Sequence, residues 1–209
     1  MQRPRIFFDL DHTLYDTDAM LSPIVEDAVR LGASENVVRT AIRHAGRTGF
    51  TFEAVLARLG HPPDVVEQRA LVYRQRLAEG NAFLYPGVTE SLQRIALRAD
   101  CVLLTYGYPP FQEEKFSSVT DLHPVFLDRH FVWAGQTKGD VIRSYGDDRP
   151  AWFVDDAPEH LEDALQKAPW TMCIRMSRCV GESGLLEEDR RWYTATSFES
   201  IERLLGTQD

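Results

Sequence analysis

Residues 5–16, Arg-Ile-Phe-Phe-Asp-Leu-Asp-His-Thr-Leu-Tyr-Asp, constrain this chain more than any other stretch. Ile6, Phe7 and Phe8 form an apolar run with no turn residue, the pattern of a strand buried on both faces. The run delivers two carboxylates, Asp9 and Asp11, one residue apart. Residues i and i+2 of a strand face the same way. If the strand stops at Asp9, both acids still lie at its carboxyl edge, where open α/β sheets bind ligands. Neighbouring acids are costly to bury without a cation. The stretch therefore admits two readings: a strand ending in solvated, turn-forming acids, or a metal site that carries a nucleophile.

The remaining pattern predicts an α/β fold with a helical interruption. From about residue 17 to 81, apolar residues recur at helical spacing in four groups: Ile24, Val25, Ala28 and Val29; Val37, Val38, Ala41 and Ile42; Phe52, Val55, Leu56 and Leu59; Val65, Val66, Ala70 and Tyr73. Breaks are marked at residues 32–34, 46–49 and 60–63. No strand pattern occurs among them, so residues 17–81 are expected to form an inserted helical cap, with 1–16 and 82–209 as the core. In that core, strands are expected at 101–105, 131–134, 151–154 and 171–176, and an edge strand at 192–194. Helices are expected from Val88 to about Arg98, from Pro110 to Ser118, from Thr137 to Tyr145, from Glu159 to Lys167 and from Ser197 to Leu205. Strands alternating with helices imply a doubly wound parallel sheet. The polar residues 181–190 are expected to form a surface loop.

Charge and cysteine usage narrow the function classes. The net charge of −9 argues against a nucleic-acid backbone or an anionic membrane as partner. It leaves a phosphorylated small molecule open, because a local cation inverts the sign of a site. Cys101, Cys173 and Cys179 are odd in number and lack metal-type spacing. They indicate no disulfide framework and fit a cytoplasmic setting. Neither a leader, nor a membrane-spanning run, nor a lipid anchor is expected.

Three predicted strands end in polar residues: Asp9 with Asp11, then Thr105, then Asp155 with Asp156. Lys138 precedes the fourth strand. Singly, each has an ordinary explanation: a threonine at a strand end, a solvated lysine, an acidic pair favouring the next helix dipole. In this order they resemble the four motifs of the haloacid dehalogenase (HAD) superfamily: Asp-x-Asp-x-Thr, a Thr or Ser after the second strand, a Lys, and an acidic pair after the fourth. The resemblance covers almost the whole chain. It implies a HAD-type Rossmann-like core with a C1 helical cap, and a phosphatase acting through an aspartyl phosphate.

On that resemblance Asp9 is the nucleophile and Asp11 the general acid and base. Thr105 donates to a phosphate oxygen, and Lys138 offsets charge. Magnesium is held by Asp9, Asp11 (through its carbonyl) and the fourth motif, with Asp156 favoured over Asp155 as ligand. An ionised carboxylate needs no base to attack phosphorus, and a hard divalent ion suits oxygen donors. Lys115, on the helix after the second motif, is the rival for the lysine role and is otherwise expected to be an ordinary surface residue. His12 and Tyr106 depart from the family's usual Gly or Asn at their positions, and Tyr106 adds bulk beside the second motif. The implied substrate is a small phosphorylated metabolite, a sugar phosphate or nucleoside monophosphate, with the oligomeric state left open. Two alternatives stand: a phosphomutase or phosphotransferase using the same aspartyl phosphate, and a silent binding module on the same fold. Asp11 sets the chain apart from the superfamily's haloacid dehalogenases, which lack that second acid and need no metal.

Overall fold

The computed structural model describes residues 2–146, 149–178 and 191–206. Strand β1 (Arg5–Phe8) lies inside a parallel sheet with β2 (Asp100–Tyr106), β3 (Phe126–Val132), β4 (Ala151–Asp155), β5 (Thr171–Met176) and β6 (Tyr193–Ala195). The sheet order is β3-β2-β1-β4-β5-β6. After β3 the chain returns to the other side of β1, so the order reverses between β1 and β4. In doubly wound sheets this switch point opens a crevice at the carboxyl ends of the strands.

Both faces of β1 are covered, as its unbroken apolar run requires. Phe7 joins a core with Val102, Leu104, Phe153, Val141, Ile142 and Leu161. Val141 and Ile142 sit on α7 (Lys138–Tyr145) and Leu161 on α8 (Pro158–Lys167), so the helices following β3 and β4 close this face. Phe8, pointing the opposite way, stacks at 6.2 Å on Phe198 of α9 (Phe198–Gly206). Each fully buried side chain of this size contributes about 1.5–3 kcal/mol. Helix α5 (Val88–Ala96) packs with α9. Among the described residues no helix is long and apolar enough to cross a membrane.

Four helices follow β1: α1 (Thr17–Arg30), α2 (Glu35–Thr48), α3 (Phe52–Arg58) and α4 (Pro63–Leu77). The chain divides into two compact units, one of Met1–Tyr15, Leu84–Tyr106 and Asp121–Asp209, the other of Asp16–Phe83 and Gly107–Thr120. The second unit includes α6 (Pro109–Ser118), a helix that sequence alone leaves with the sheet. Phe111 of α6 explains the grouping: its ring lies 4.2 Å from that of Phe50 and 5.7 Å from that of Phe52.

Two expected boundaries move. Helix α2 runs through Gly46 and stops only at Gly49, whose φ of 119° is open to glycine alone. Strand β3 begins at Phe126 instead of Phe131 and ends at Val132. It is an edge strand with residues 127–129 exposed, so its first half carries no apolar run to reveal it. Residues 181–190 and Cys179 lie outside the described residues. Cys101 and Cys173 are buried free thiols, each pushed up to about 12 by burial, as inert core cysteines should be.

Candidate active site

The switch point gathers the acids. Asp9 is the first residue beyond β1 and is 3% exposed; its N–H donates to the Val154 carbonyl of β4 at 2.9 Å. Asp155 closes β4 and is fully buried. Asp156 follows it, half-buried. One carboxylate oxygen from each of Asp9, Asp155 and Asp156 lies within 4.8 Å of the others.

Lys138 stands among them. It is the first residue of α7, entered through a capping box between Thr137 and Asp140. The next residue, Gly139, lets α7 approach α8 closely: a Cβ there would come within 2.6 Å of the Asp163 carbonyl. Its N–H donates to the Asp163 carboxylate at 2.8 Å. So seated, the buried Lys138 ammonium donates to Asp9 Oδ1 at 2.5 Å and to Asp155 Oδ2 at 2.6 Å. Burial works against its charge, but Asp155 and Asp9 outweigh that and hold the ammonium above its ordinary value.

The carboxylates respond differently. Burial pushes Asp9 well above the usual range; Lys138 opposes this, while Asp155, Asp11 and Asp156 reinforce it. Burial also works against Asp155, but Lys138 and His160 overcome it and keep Asp155 below the usual range. Asp156 is raised, by burial first and Asp155 second. Asp155 has further donors: the Ala157 N–H at 2.9 Å, and His160 Nδ1 at 3.3 Å.

The loop after β1 is a tight turn. The Leu14 and Tyr15 N–H groups both donate to the Leu10 carbonyl at 2.9 Å, and the His12 N–H donates to the Tyr15 carbonyl at 2.8 Å. His12 adopts φ 58°, a left-handed conformation in which histidine, like Asn and Asp, is one of the better-tolerated non-glycine residues. Asp11 is partly buried and lies outside the trio of carboxylates. Two supports hold the loop: the Leu14 carbonyl accepts from the Tyr85 N–H at 3.0 Å, and the Thr13 carbonyl accepts from Arg178. The Arg178 guanidinium in turn lies 4.0 Å from the centre of the Tyr85 ring.

Thr105, the penultimate residue of β2, is fully buried, and its hydroxyl has no hydrogen-bond partner among the described residues. A buried hydroxyl left unpaired is costly unless a ligand completes it. Lys115 belongs to the helical unit, with its ammonium 5.0 Å from the centre of the Phe111 ring. It is 1% exposed, which corrects the expectation of a surface lysine.

Sequence reasoning did not single out His160, Arg178 or the fully buried Thr13. His160 sits five residues beyond Asp155, on the first turn of α8, a spacing with no strand or helix signature of its own. Thr13 was visible within the first motif, and its hydroxyl is likewise unpartnered among the described residues.

No protein-family model matches this chain, and no curated protein matches it either. Solved structures do. The protein YfnB of Bacillus subtilis, assigned to the HAD hydrolases and solved bound to magnesium, is 15% identical, with a TM-score of 0.65 over 98% of this chain and 99% of that one. L-2-haloacid dehalogenase from Xanthobacter autotrophicus, with chloropropionic acid covalently bound, is 13% identical, with a TM-score of 0.65 over the whole of both chains. A Clostridium difficile protein assigned as a phosphatase is 18% identical, with a TM-score of 0.62 over 98% of this chain and 99% of that one. The chain shares the α/β fold of HAD-like hydrolases.

Proposed function

We propose that this protein is a HAD-superfamily phosphatase that uses magnesium to hydrolyse small phosphate monoesters through an aspartyl phosphate on Asp9. The observation that carries the reading is Asp9 itself: a buried carboxylate at the sheet's switch point, paired with a buried lysine and crowded by two further acids. The presence of Asp11, which the superfamily's haloacid dehalogenases lack, supports phosphate chemistry over dehalogenation.

The residues suit a divalent cation. Asp9, Asp155 and Asp156 converge, while Lys138 supplies a single positive charge to them. Both oxygens of Asp155 already accept hydrogen bonds, Oδ1 from Ala157 and Oδ2 from Lys138, so Asp156 is the better placed of that pair to face the ion. Asp9, Asp156 and the Asp11 carbonyl would hold it. Magnesium there supplies positive charge that lets a phosphate dianion approach the acids.

The chain's own residues then divide the work. Asp9 attacks phosphorus; its oxygen–phosphorus bond forms as the ester bond breaks. Asp11 gives a proton to the leaving oxygen. The Thr105 hydroxyl donates to a non-bridging oxygen, and Lys138 offsets the charge spread over the phosphoryl group. Water next attacks the aspartyl phosphate, Asp11 takes its proton, and phosphate leaves with Asp9 restored. Substrates in this scheme are small phosphorylated metabolites. The inert buried thiols fit a reducing cytoplasm.

The test is hydrolysis of an aryl phosphate and a panel of sugar phosphates, with magnesium and with chelator, beside assays on 2-haloacids. Magnesium-dependent phosphate release supports the reading. Transfer only to an acceptor sugar phosphate would replace hydrolysis with mutase chemistry. Metal-independent dehalogenation, or no reaction with any ester, would overturn it.

A further inference from the structure

Three aromatic rings cluster beside the acids, and the chemistry above uses none of them. Tyr106 ends β2, directly after Thr105. Trp133 directly follows β3, next to Val132, the register partner of Tyr106. His160 lies on the first turn of α8, just beyond β4. Their carrier elements thus bring all three to the carboxyl edge of the sheet. The Tyr106 ring stands 6.1 Å from that of Trp133 and 5.8 Å from that of His160, tilted by 35° and 45°. The cluster is linked to the nucleophile in short steps: His160 Nδ1 to Asp155 at 3.3 Å, Asp155 to Lys138 at 2.6 Å, Lys138 to Asp9 at 2.5 Å.

A single exposed tyrosine is unremarkable on a protein surface. Tyr106 differs in its place: it is 44% exposed, it directly follows the fully buried Thr105, and two other rings lean on it. A bare sugar offers an aromatic ring only its C–H faces, whereas a nucleobase offers a full planar π-face. Clustered ring faces favour a planar π-system, with stacking energies that tolerate differences between bases.

We infer that Tyr106, Trp133 and His160 form an aromatic rim that stacks a planar nucleobase in the leaving half of the substrate, so that nucleoside monophosphates are preferred over simple sugar phosphates. The inference rests on the phosphatase reading for where the leaving group lies. Tyr106 and Trp133 act as specificity residues. His160 both packs its tilted ring beside Tyr106 and positions Asp155.

Nucleoside 5′-monophosphates and ribose 5-phosphate separate the base from the chemistry, since both present the same alkyl phosphate. The rim predicts a kcat/KM ratio favouring the nucleotide by roughly tenfold or more. Tyr106→Leu should lower that ratio by about tenfold, and Tyr106→Phe should keep it. Trp133→Leu provides a second lowering variant should Tyr106→Leu fold poorly. Equilibrium binding to Asp9→Asn protein should likewise favour the nucleotide about tenfold. Hydrolysis of both esters at a ratio near one, or a ratio unmoved by both leucine variants, overturns the rim and leaves the phosphatase standing. Tight binding of the nucleotide alone, without hydrolysis of either ester, overturns the phosphatase and leaves the rim. Neither hydrolysis nor preferential binding overturns both.

Discussion

Two acidic pairs meet at the carboxyl ends of adjacent strands, and they are held in different ways. Asp155, from β4, accepts from Lys138, from the Ala157 N–H and from His160, and stays ionised below its usual range despite full burial. Asp9, from β1, shares the same lysine, yet burial and three neighbouring carboxylates push it up. The lysine is common to both, so the difference lies in the extra donors around Asp155. One acid is an anchor whose charge the fold has already compensated. The other is left short of positive charge, which a bound cation can supply. Burial alone does not distinguish the two acids; the count of fixed donors does, and on the proposed reading the acid with fewer is the one that reacts.

The sharpest way to test this contrast is to remove one acid at a time. Asp9→Asn should lower turnover at least about 10⁴-fold, as loss of a covalent nucleophile does. It should not lower the melting temperature, because it removes charge from a crowded cluster. Trapping with beryllium fluoride should label Asp9 in the parent protein and nothing in the variant. Activity within a hundredfold of the parent would end the nucleophile assignment.

Lys138→Ala attacks what the two pairs share. It strands two buried carboxylates, a loss of about 3–5 kcal/mol in stability. On the proposed reading it also removes the positive charge that offsets the transferring phosphoryl group, worth about 2–4 kcal/mol in the barrier. Lys115→Ala is the matched control: it too is buried, but in the helical unit, so it should lower the melting temperature with less than about threefold loss of kcat/KM. Thermal melts and kinetics on one substrate decide it. The reverse ranking in kcat/KM would refute the role given to Lys138.

These contrasts also mark what the sequence made legible. The central strands were readable because strands covered on both faces become unbroken apolar runs, as in Phe7–Phe8, Cys101–Leu104 and Ala151–Val154. The start of β3 was not, since an edge strand with an exposed Asp128 and Arg129 has no such run. Asp9, Asp11, Thr105, Lys138, Asp155 and Asp156 could be named from their order along the chain. Their unequal charge states could not, because these depend on donors from elsewhere: His160 across a helix turn, the Ala157 N–H, and the depth of each carboxylate. The grouping of α6 with the helical unit was hidden for a similar reason. It is decided by the packing of Phe111 on Phe50 and Phe52, which spacing along the chain does not report.

The fourth motif offers a finer division. Asp156→Asn should raise the magnesium concentration for half-maximal activity by about 10–100-fold, with little change in melting temperature. Asp155→Asn should instead lower the melting temperature, since its carboxylate answers Lys138 and the Ala157 N–H in the folded protein. Calorimetric titration of magnesium into each variant separates the two effects. A larger loss of magnesium affinity in Asp155→Asn would reverse their roles.

The smallest expected effect concerns Thr105, and it tests whether this buried hydroxyl faces a ligand or only packs. Its hydroxyl is buried and has no hydrogen-bond partner among the described residues. Thr105→Val keeps nearly the same shape and removes the unpaired oxygen. Without substrate, that change relieves a desolvation cost, so the melting temperature should stay level or rise. On the proposed reading the same hydroxyl donates to a charged phosphate oxygen when substrate is bound, a bond worth about 1.5 kcal/mol, so kcat/KM should fall roughly tenfold. Thr105→Ser, which restores the donor, should recover most of the activity. Opposite signs in stability and activity distinguish a ligand-facing hydroxyl from a packing residue, for which both would fall together. A lower melting temperature with unchanged kcat/KM in Thr105→Val would remove Thr105 from the site.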